Sequence, residues 1–189
     1  MEDYILAFDE INAFAAYSFQ NLTEGHKNAK AVVDDMLSLL IQAFTLGIRD
    51  TSRMLSYPLT VDPDDLYEVV FYVIDGKTFE DRAMDHIESG DLHGLQTLLE
   101  SEYHRVYNGA VESGATHYMV ETGGAVDKTW YTVGDDKVRE THEYLEGMTV
   151  GLNEDFYTFD GDHAPYPGGF SLASNNVNCR CVITVQRRA

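Results

Sequence analysis

The sequence predicts an α+β protein, with a predominantly helical arm over residues 1–114 and a compact α+β domain over residues 115–189. In the first part, apolar residues recur at the three- and four-residue spacing of helices. After Gly114, short aromatic and β-branched runs separated by glycines replace that spacing. No segment repeats with a fixed period, so a solenoid is not expected. At 189 residues the chain is long enough for one good core, or for two small ones.

Three helices are predicted in the first half of the arm. The segment 4–19 mixes alanines and aromatics with few charges, which suits a helix. A stronger helix starts at Asp34, and its apolar face is formed by Leu37, Leu40, Ile41, Phe44 and Ile48. Asp62 followed by Pro63 predicts the start of a third helix, although the β-branched run over 66–74 also suits a strand.

Two further helices are predicted before residue 115. Thr78 is a suitable N-cap for a helix over 79–87, and Gly90 closes that segment. From Asp91 to about Gly114 the spacing predicts a longer helix, with an apolar face formed by Leu95, Leu98, Leu99, Tyr103, Val106 and Ala110.

Beyond residue 115 the sequence predicts short strands and one short helix. Gly123 and Gly124 separate the runs 118–122 and 129–133, which is typical of a β-hairpin. A short helix is expected over residues 135–145, followed by Gly147. The remaining strand-like runs are 148–150, 156–159 and 181–185.

The charge balance limits the classes of partner. The formal net charge is −19, because 32 acidic residues face 13 basic ones. Nucleic acids are bound mainly through Lys and Arg, so strong nucleic-acid binding is not expected. The acidic excess suits a basic protein partner, and a well-solvated acidic surface is the simpler alternative.

The sequence indicates neither a membrane span nor a signal peptide. The most apolar stretch, over residues 36–48, is shorter than the ~20 residues that a span needs, and it contains Gln42, Thr45 and Gly47. The N-terminus is acidic and lacks the basic start of a signal peptide. We therefore expect a protein made in a cytoplasm and used there, or inside something assembled there.

Cys179 and Cys181 are the two cysteines, and their spacing does not suit a disulfide. Together with His142 they have the chemistry of three zinc ligands, and the fourth ligand could be His163, Asp160 or Asp162. In the alternative interpretation, the two thiols are buried at the start of a core strand and His142 is a hydrogen-bonded core residue. No cofactor is predicted, and zinc stays the open alternative.

The same region allows a catalytic interpretation. His142 could act as an acid or base, with Arg139 and Arg180 stabilising a phosphate and Glu140 assisting, as in a nuclease or transferase. The acidic charge of the chain argues against an RNA substrate, and the spacing alone does not bring these groups together. We therefore predict no enzymatic activity.

An ordered set of residues between 128 and 181 carries a family resemblance. These signature residues are Lys128, Trp130, Asp136, Arg139, His142, Gly147, Asn178, Cys179, Arg180 and Cys181. The set resembles the C-terminal signature of the phage Mu protein F-like family of head-morphogenesis (minor head, or minor capsid) proteins. The resemblance extends over about residues 76–186. Where Arg-Thr-Glu is usual in the family, this chain has Glu100-Ser101-Glu102, which matches at Glu102 and conservatively at Ser101, and its loops between Gly147 and Cys179 are longer.

The resemblance implies a structural protein of the virion head, assembled in the host cytoplasm near the portal. It implies the portal protein, the major capsid protein and other head proteins as partners, and a possible part in DNA packaging or ejection. Trp130 and Phe156 would be core anchors, while Arg139 and Arg180 would pair with acids or carbonyls. The alternative is a toxin-like RNase or ADP-ribosyltransferase carried in the head and centred on His142 and Arg139. Only eight residues follow Cys181, so no appended effector domain is expected.

Overall fold

The computed structural model describes residues 6–188 and confirms the α+β class. Five helices come first: α1 (Phe8–Thr23), α2 (Ala29–Met54), α3 (Pro63–Val70), α4 (Phe79–Ser89) and α5 (Leu92–Thr122). Short strands and two single-turn helices follow: β1 (Val126–Tyr131), α6 (Glu140–Glu143), β2 (Thr149–Gly151), β3 (Phe156–Tyr157), β4 (His163–Ala164), α7 (Ala173–Asn176) and β5 (Val182–Arg187).

Side-chain caps begin most of the long helices. Asp62 accepts a hydrogen bond from the Asp64 N–H, with Pro63 at the first helical position. Thr78 and Asp81 form a reciprocal capping box. Both predicted starts are therefore confirmed. Helix α2 begins at Ala29, five residues before the predicted start at Asp34, because the Asn28 side chain accepts a hydrogen bond from the Ala31 N–H and caps the helix there.

The predicted hairpin around Gly123 is wrong. Residues 118–122 continue α5, and Gly123 ends the helix in the left-handed conformation, with φ +69°. Ala115 and Tyr118 are buried at helical spacing, and this packing overrides the strand preference of the run. The border predicted at residue 115 therefore lies within α5. The ambiguous run over 66–74 is helical only to Val70.

The predicted helix over residues 135–145 is reduced to the single turn of α6. Asp135 accepts two hydrogen bonds from Arg180 and one from the Lys137 N–H, which holds this stretch as a turn. His142 and Leu145 are nevertheless buried. The observed strands differ from the predicted runs by a few residues. Of the first predicted helix, residues 4 and 5 lie outside the described part of the chain.

The centre of the helical part is the contact between α2 and α5. A Cβ atom placed on Gly47 of α2 would lie 2.6 Å from the Tyr107 carbonyl oxygen and 2.7 Å from the Ala110 Cβ. At Gly114 of α5 it would lie 3.1 Å from the Thr51 methyl group. The two helices therefore approach each other at positions where a larger side chain does not fit.

Among the described helices, α2 is long and apolar enough to cross a membrane by length and composition. It spans 26 residues and exceeds the apolar stretch expected from the sequence. More than half of its most apolar window (56%) is buried inside the protein. The other four long helices all contact it, as does β5. This packing is that of a core helix.

An antiparallel sheet with the strand order β2-β1-β5 packs against the C-terminal half of α5. Along β1, the buried side chains alternate, and Val126, Lys128 and Trp130 face the interior. Asn108 of α5 joins the helix to the sheet, because its Nδ2 donates to the Cys181 carbonyl oxygen and its Oδ1 accepts from the Ile183 N–H. One hydrophobic cluster extends through both parts of the chain.

Substitution of Gly47 by alanine tests the close approach of α2 to α5. We expect Gly47→Ala to lower the free energy of unfolding by about 1–3 kcal/mol, because the new methyl group meets backbone that cannot rotate away. Chemical denaturation measures the change. Gln42→Ala, at an exposed position of the same helix, should stay within about 0.5 kcal/mol of the parent. Equal stability of the two variants would contradict the proposed packing.

Candidate functional site

His142, Cys179 and Cys181 converge in the interior of the C-terminal part. The Nδ1 atom of His142 lies 3.5 Å from each of the two sulfur atoms. All three residues are buried, and their ligand atoms lie within 4.8 Å of one another. Trp130 meets the imidazole edge-on at 5.3 Å between ring centroids, and Phe170 stacks on it at 5.5 Å.

Backbone contacts hold the cysteines in place. Asn178 adopts a positive φ of 57°, and its N–H donates to the Ser101 hydroxyl on α5. The Cys179 N–H donates to the Asn176 carbonyl oxygen at the end of α7. Asn108 of α5 donates to the Cys181 carbonyl oxygen, so Cys179 is fixed to α7 and Cys181 to α5.

The two thiols differ in acidity. A hydrogen bond from Cys181 lowers the pKa of Cys179 well below its usual value, although burial alone would raise it. The His142 ring also lowers the pKa of Cys179. The same hydrogen bond between the cysteines, with burial, raises the pKa of Cys181. On the imidazole, Nε2 is buried and has no hydrogen-bond partner among the described residues. The cluster therefore combines thiolate character with an imidazole nitrogen, which are ligands for a soft or borderline metal ion.

The two signature arginines have structural contacts. Arg139 donates to the carbonyl oxygens of Asn175 (3.2 Å) and Val177 (2.5 Å). Its guanidinium thus holds the C-terminal end of α7 and the residue that follows it. Arg180 makes two hydrogen bonds with Asp135, each 2.6 Å long. Both arginines fix loops around the cysteines.

Lys128 is fully buried on β1. Its Nζ donates to Glu112 on α5 over 3.0 Å and lies 5.6 Å from the centre of the Phe156 ring. Burial raises the pKa of Glu112 to about 7, and the Lys128 ammonium opposes this shift. The pair therefore joins the sheet to α5 through an ionic contact in the interior.

The other signature residues lie nearer the surface or in turns. Asp136 is exposed. Gly147 has φ +71°, and its N–H donates to the Trp130 carbonyl oxygen, so it forms the turn that returns the chain from α6 to β2.

The three residues suggested as a fourth zinc ligand lie elsewhere in hydrogen-bonded networks. Asp162 is buried, and its carboxylate accepts from the backbone N–H groups of Ser171 and Leu172 and from the Asn175 amide. Burial opposes ionisation of Asp162, but these hydrogen bonds lower its pKa. His163 pairs with Asp155 at 2.7 Å, and Asp160 accepts from the Thr158 hydroxyl. Among the described residues, the group able to hold a metal contains His142, Cys179 and Cys181.

Several important polar residues were not predicted. Asn108 and Glu112 were missed, although polar residues within the long helix were a signal for contacts to another element. Glu102, also on α5, is buried and pairs with Arg82 at 3.1 Å and with Arg105 at 2.8 Å. These arginines line a cleft of about 880 Å³ that is bounded by residues 72–75, by α4 and α5, and by the segment 165–177. Neither His142 nor Arg139 lines this cleft.

Residues 68–184 match the family described as "Phage Mu protein F like protein". The chain belongs to this family. The match starts within α3 and ends within β5, so it includes the long helix α5 and every signature residue. The predicted resemblance is confirmed.

Two curated proteins are similar to this Mu F-like chain. The first is the NAD(+)--arginine ADP-ribosyltransferase EFV of Enterococcus faecalis, 28% identical over 149 residues, which cover 78% of this chain and 30% of that protein. The second is the minor head protein GP7 of Bacillus phage SPP1, 29% identical over 58 residues, which cover 31% of this chain and 19% of that protein. The chain thus spans less than a third of either relative. No solved structure matches it. The family and the second relative support a phage head protein located in the virion head.

The ion pair between Lys128 and Glu112 has a testable pH dependence. The folded-state pKa of Glu112, about 7, lies above its usual 4.5, so the contribution of this group to stability is lost as the pH rises through that interval. In Lys128→Met the carboxylate has no ammonium partner. We expect the variant to lose about 3 kcal/mol of unfolding free energy at pH 8, and less at pH 5, where Glu112 is protonated.

The double variant Lys128→Met/Glu112→Gln is the control for this prediction. It removes both charges, so most of the lost stability should return at pH 8. Chemical denaturation of the parent, the single variant and the double variant at pH 5 and pH 8 measures these changes. A loss in Lys128→Met that is the same at pH 5 and pH 8 would contradict the assigned coupling.

Proposed function

We propose that this chain is a minor head protein of a tailed phage or prophage, a structural component that acts in head morphogenesis near the portal. The observation that carries the proposal is the family match over residues 68–184, which includes the whole signature. The likeness to a protein named as a minor head protein supports it. A part in DNA packaging or ejection belongs to the same proposal.

The contacts of the signature residues support a non-catalytic role. His142 is only 1% exposed, so a substrate in solution does not reach its ring. The Arg139 guanidinium is engaged by two backbone carbonyls. Residues in these positions hold the interior together. The name of the ADP-ribosyltransferase describes a whole protein of which this match covers 30%.

The surface supports protein partners more than nucleic acid. A net charge of −19 repels a phosphate backbone and attracts a basic protein face. Exposed aromatic residues offer apolar contact area beside these charges, including Tyr67 and Tyr72 near α3. We therefore propose the portal protein, the major capsid protein and other head proteins as partners, in the virion head and, during assembly, in the host cytoplasm.

Quantitative mass spectrometry of purified, DNA-filled particles tests this function. We expect the chain at a fixed, low copy number relative to the portal protein, because a minor head component occupies a defined set of positions. Particles disassembled after gradient purification give the ratio, with the major capsid protein as the internal standard. Absence from particles, with abundance in the infected cell, would overturn the proposal.

An activity assay addresses the enzyme alternative. The purified chain should neither consume NAD⁺ with an arginine acceptor nor degrade RNA. Turnover that disappears in a folded His142→Gln variant would overturn the non-catalytic part of the proposal. Copy number and turnover are measured independently. An enzyme carried in the head would be present in particles at a fixed copy number and would also show turnover.

A further inference from the structure

We propose that His142, Cys179 and Cys181 bind one Zn²⁺ ion, with a water molecule as its fourth ligand. The inference rests on the geometry of the cluster and is independent of the proposed head function. Imidazole and thiolate are the ligands that structural and catalytic zinc sites use most often. Here they come from α6 and from the segment before β5, and all three are buried.

The distances between the three groups fit one tetrahedral ion. With Zn–S of about 2.3 Å, Zn–N of about 2.0–2.1 Å and a tetrahedral angle, sulfur and nitrogen lie about 3.6 Å apart. The two Sγ–Nδ1 distances observed are both 3.5 Å. The same geometry places the two sulfurs about 3.8 Å apart, and all three ligand atoms lie within 4.8 Å of one another.

Hydrogen bonding alone explains this arrangement less well. In a neutral imidazole, Nδ1 carries either one hydrogen or one lone pair, directed along a single line in the ring plane. It therefore makes one good hydrogen bond, yet both sulfurs lie at the same distance from it. A cation between the three atoms satisfies them all, and Nδ1 coordination leaves the proton on Nε2.

The charge of such a site also suits the interior. Two thiolates neutralise the ion, so the bound site brings no net charge into the interior. The ligands are contributed by positions 142, 179 and 181, so the ion would close a long loop and fix the helical turn α6 to the start of β5.

The fourth position has room for a small ligand. A cavity of about 10 Å³ adjoins all three ligands and is bounded further by Val133, Val138 and Arg180. This volume corresponds to about one water molecule. Since Asp160, Asp162 and His163 are held in other networks, water is the ligand that the surroundings supply.

Metal analysis of the full chain, purified without chelators, is the first test. We expect about one zinc per chain by mass spectrometry, and no stoichiometric zinc in Cys179→Ser or Cys181→Ser. His163→Asn removes an exposed histidine that pairs with Asp155 and should keep its zinc. A parent protein that contains no zinc, and binds none after incubation with Zn²⁺, would overturn the proposal.

Two measurements on the parent chain keep the test valid if the cysteine variants fail to fold. Replacement of zinc by Co²⁺ should give thiolate-to-cobalt charge-transfer bands and the intense visible bands of tetrahedral cobalt. Removal of the metal by a chelator should lower the melting temperature, and zinc should restore it. Absence of these bands, or a melting temperature unchanged by chelation of metal-loaded protein, would overturn the site.

The coordination number has its own readout. If water is the fourth ligand, a small exogenous ligand such as cyanide should replace it and shift the visible bands of the cobalt protein. A spectrum that does not change at saturating cyanide would overturn the open fourth position.

Discussion

The burial of α5 between the other helices and the sheet is the constraint on which the rest of the structure depends. From Glu102 to Val111 every residue of this helix is buried. This stretch of the helix has no solvent face, so its polar side chains can find partners only inside the protein. On one side Gly47 and Gly114 allow α2 to pack closely. On the other side Asn108 bonds to the backbone of Cys181 and Ile183.

The polar residues of α5 give each surrounding segment a defined position. Glu102 holds Arg82 of α4 and Arg105 of its own helix, and Arg105 in turn donates to the Val69 carbonyl oxygen at the end of α3. Glu112 performs the same role for β1 through Lys128. Buried hydrogen bonds and ion pairs are directional, and their loss leaves unsatisfied groups. They therefore define the position of each segment along α5 more strictly than apolar contacts do.

Half of the signature residues lie in this interior. Lys128 and Trp130 are neighbours on the inner face of β1. Trp130 contacts the His142 ring, and His142 contacts both cysteines. The strands of the C-terminal part are short, and its core is continuous with that of the helices, so specific contacts between distant segments hold it in place. These contacts bring residues that are far apart in the sequence into one buried cluster.

The sequence by itself determined the α+β class, the helix starts at Asp62 and Thr78 and the family, because these depend on local spacing, capping chemistry and the order of motif residues. It did not determine where α5 ends, since strand preference over 118–122 competes with the burial of Tyr118 against the rest of the protein. Nor did spacing reveal that Glu112 meets Lys128, or that the suggested ligands Asp162 and His163 are hydrogen-bonded in other networks. Those contacts depend on segments that are separated along the sequence. Only the tertiary structure decided them, because long-range packing, and not local propensity, sets which side chains share the interior.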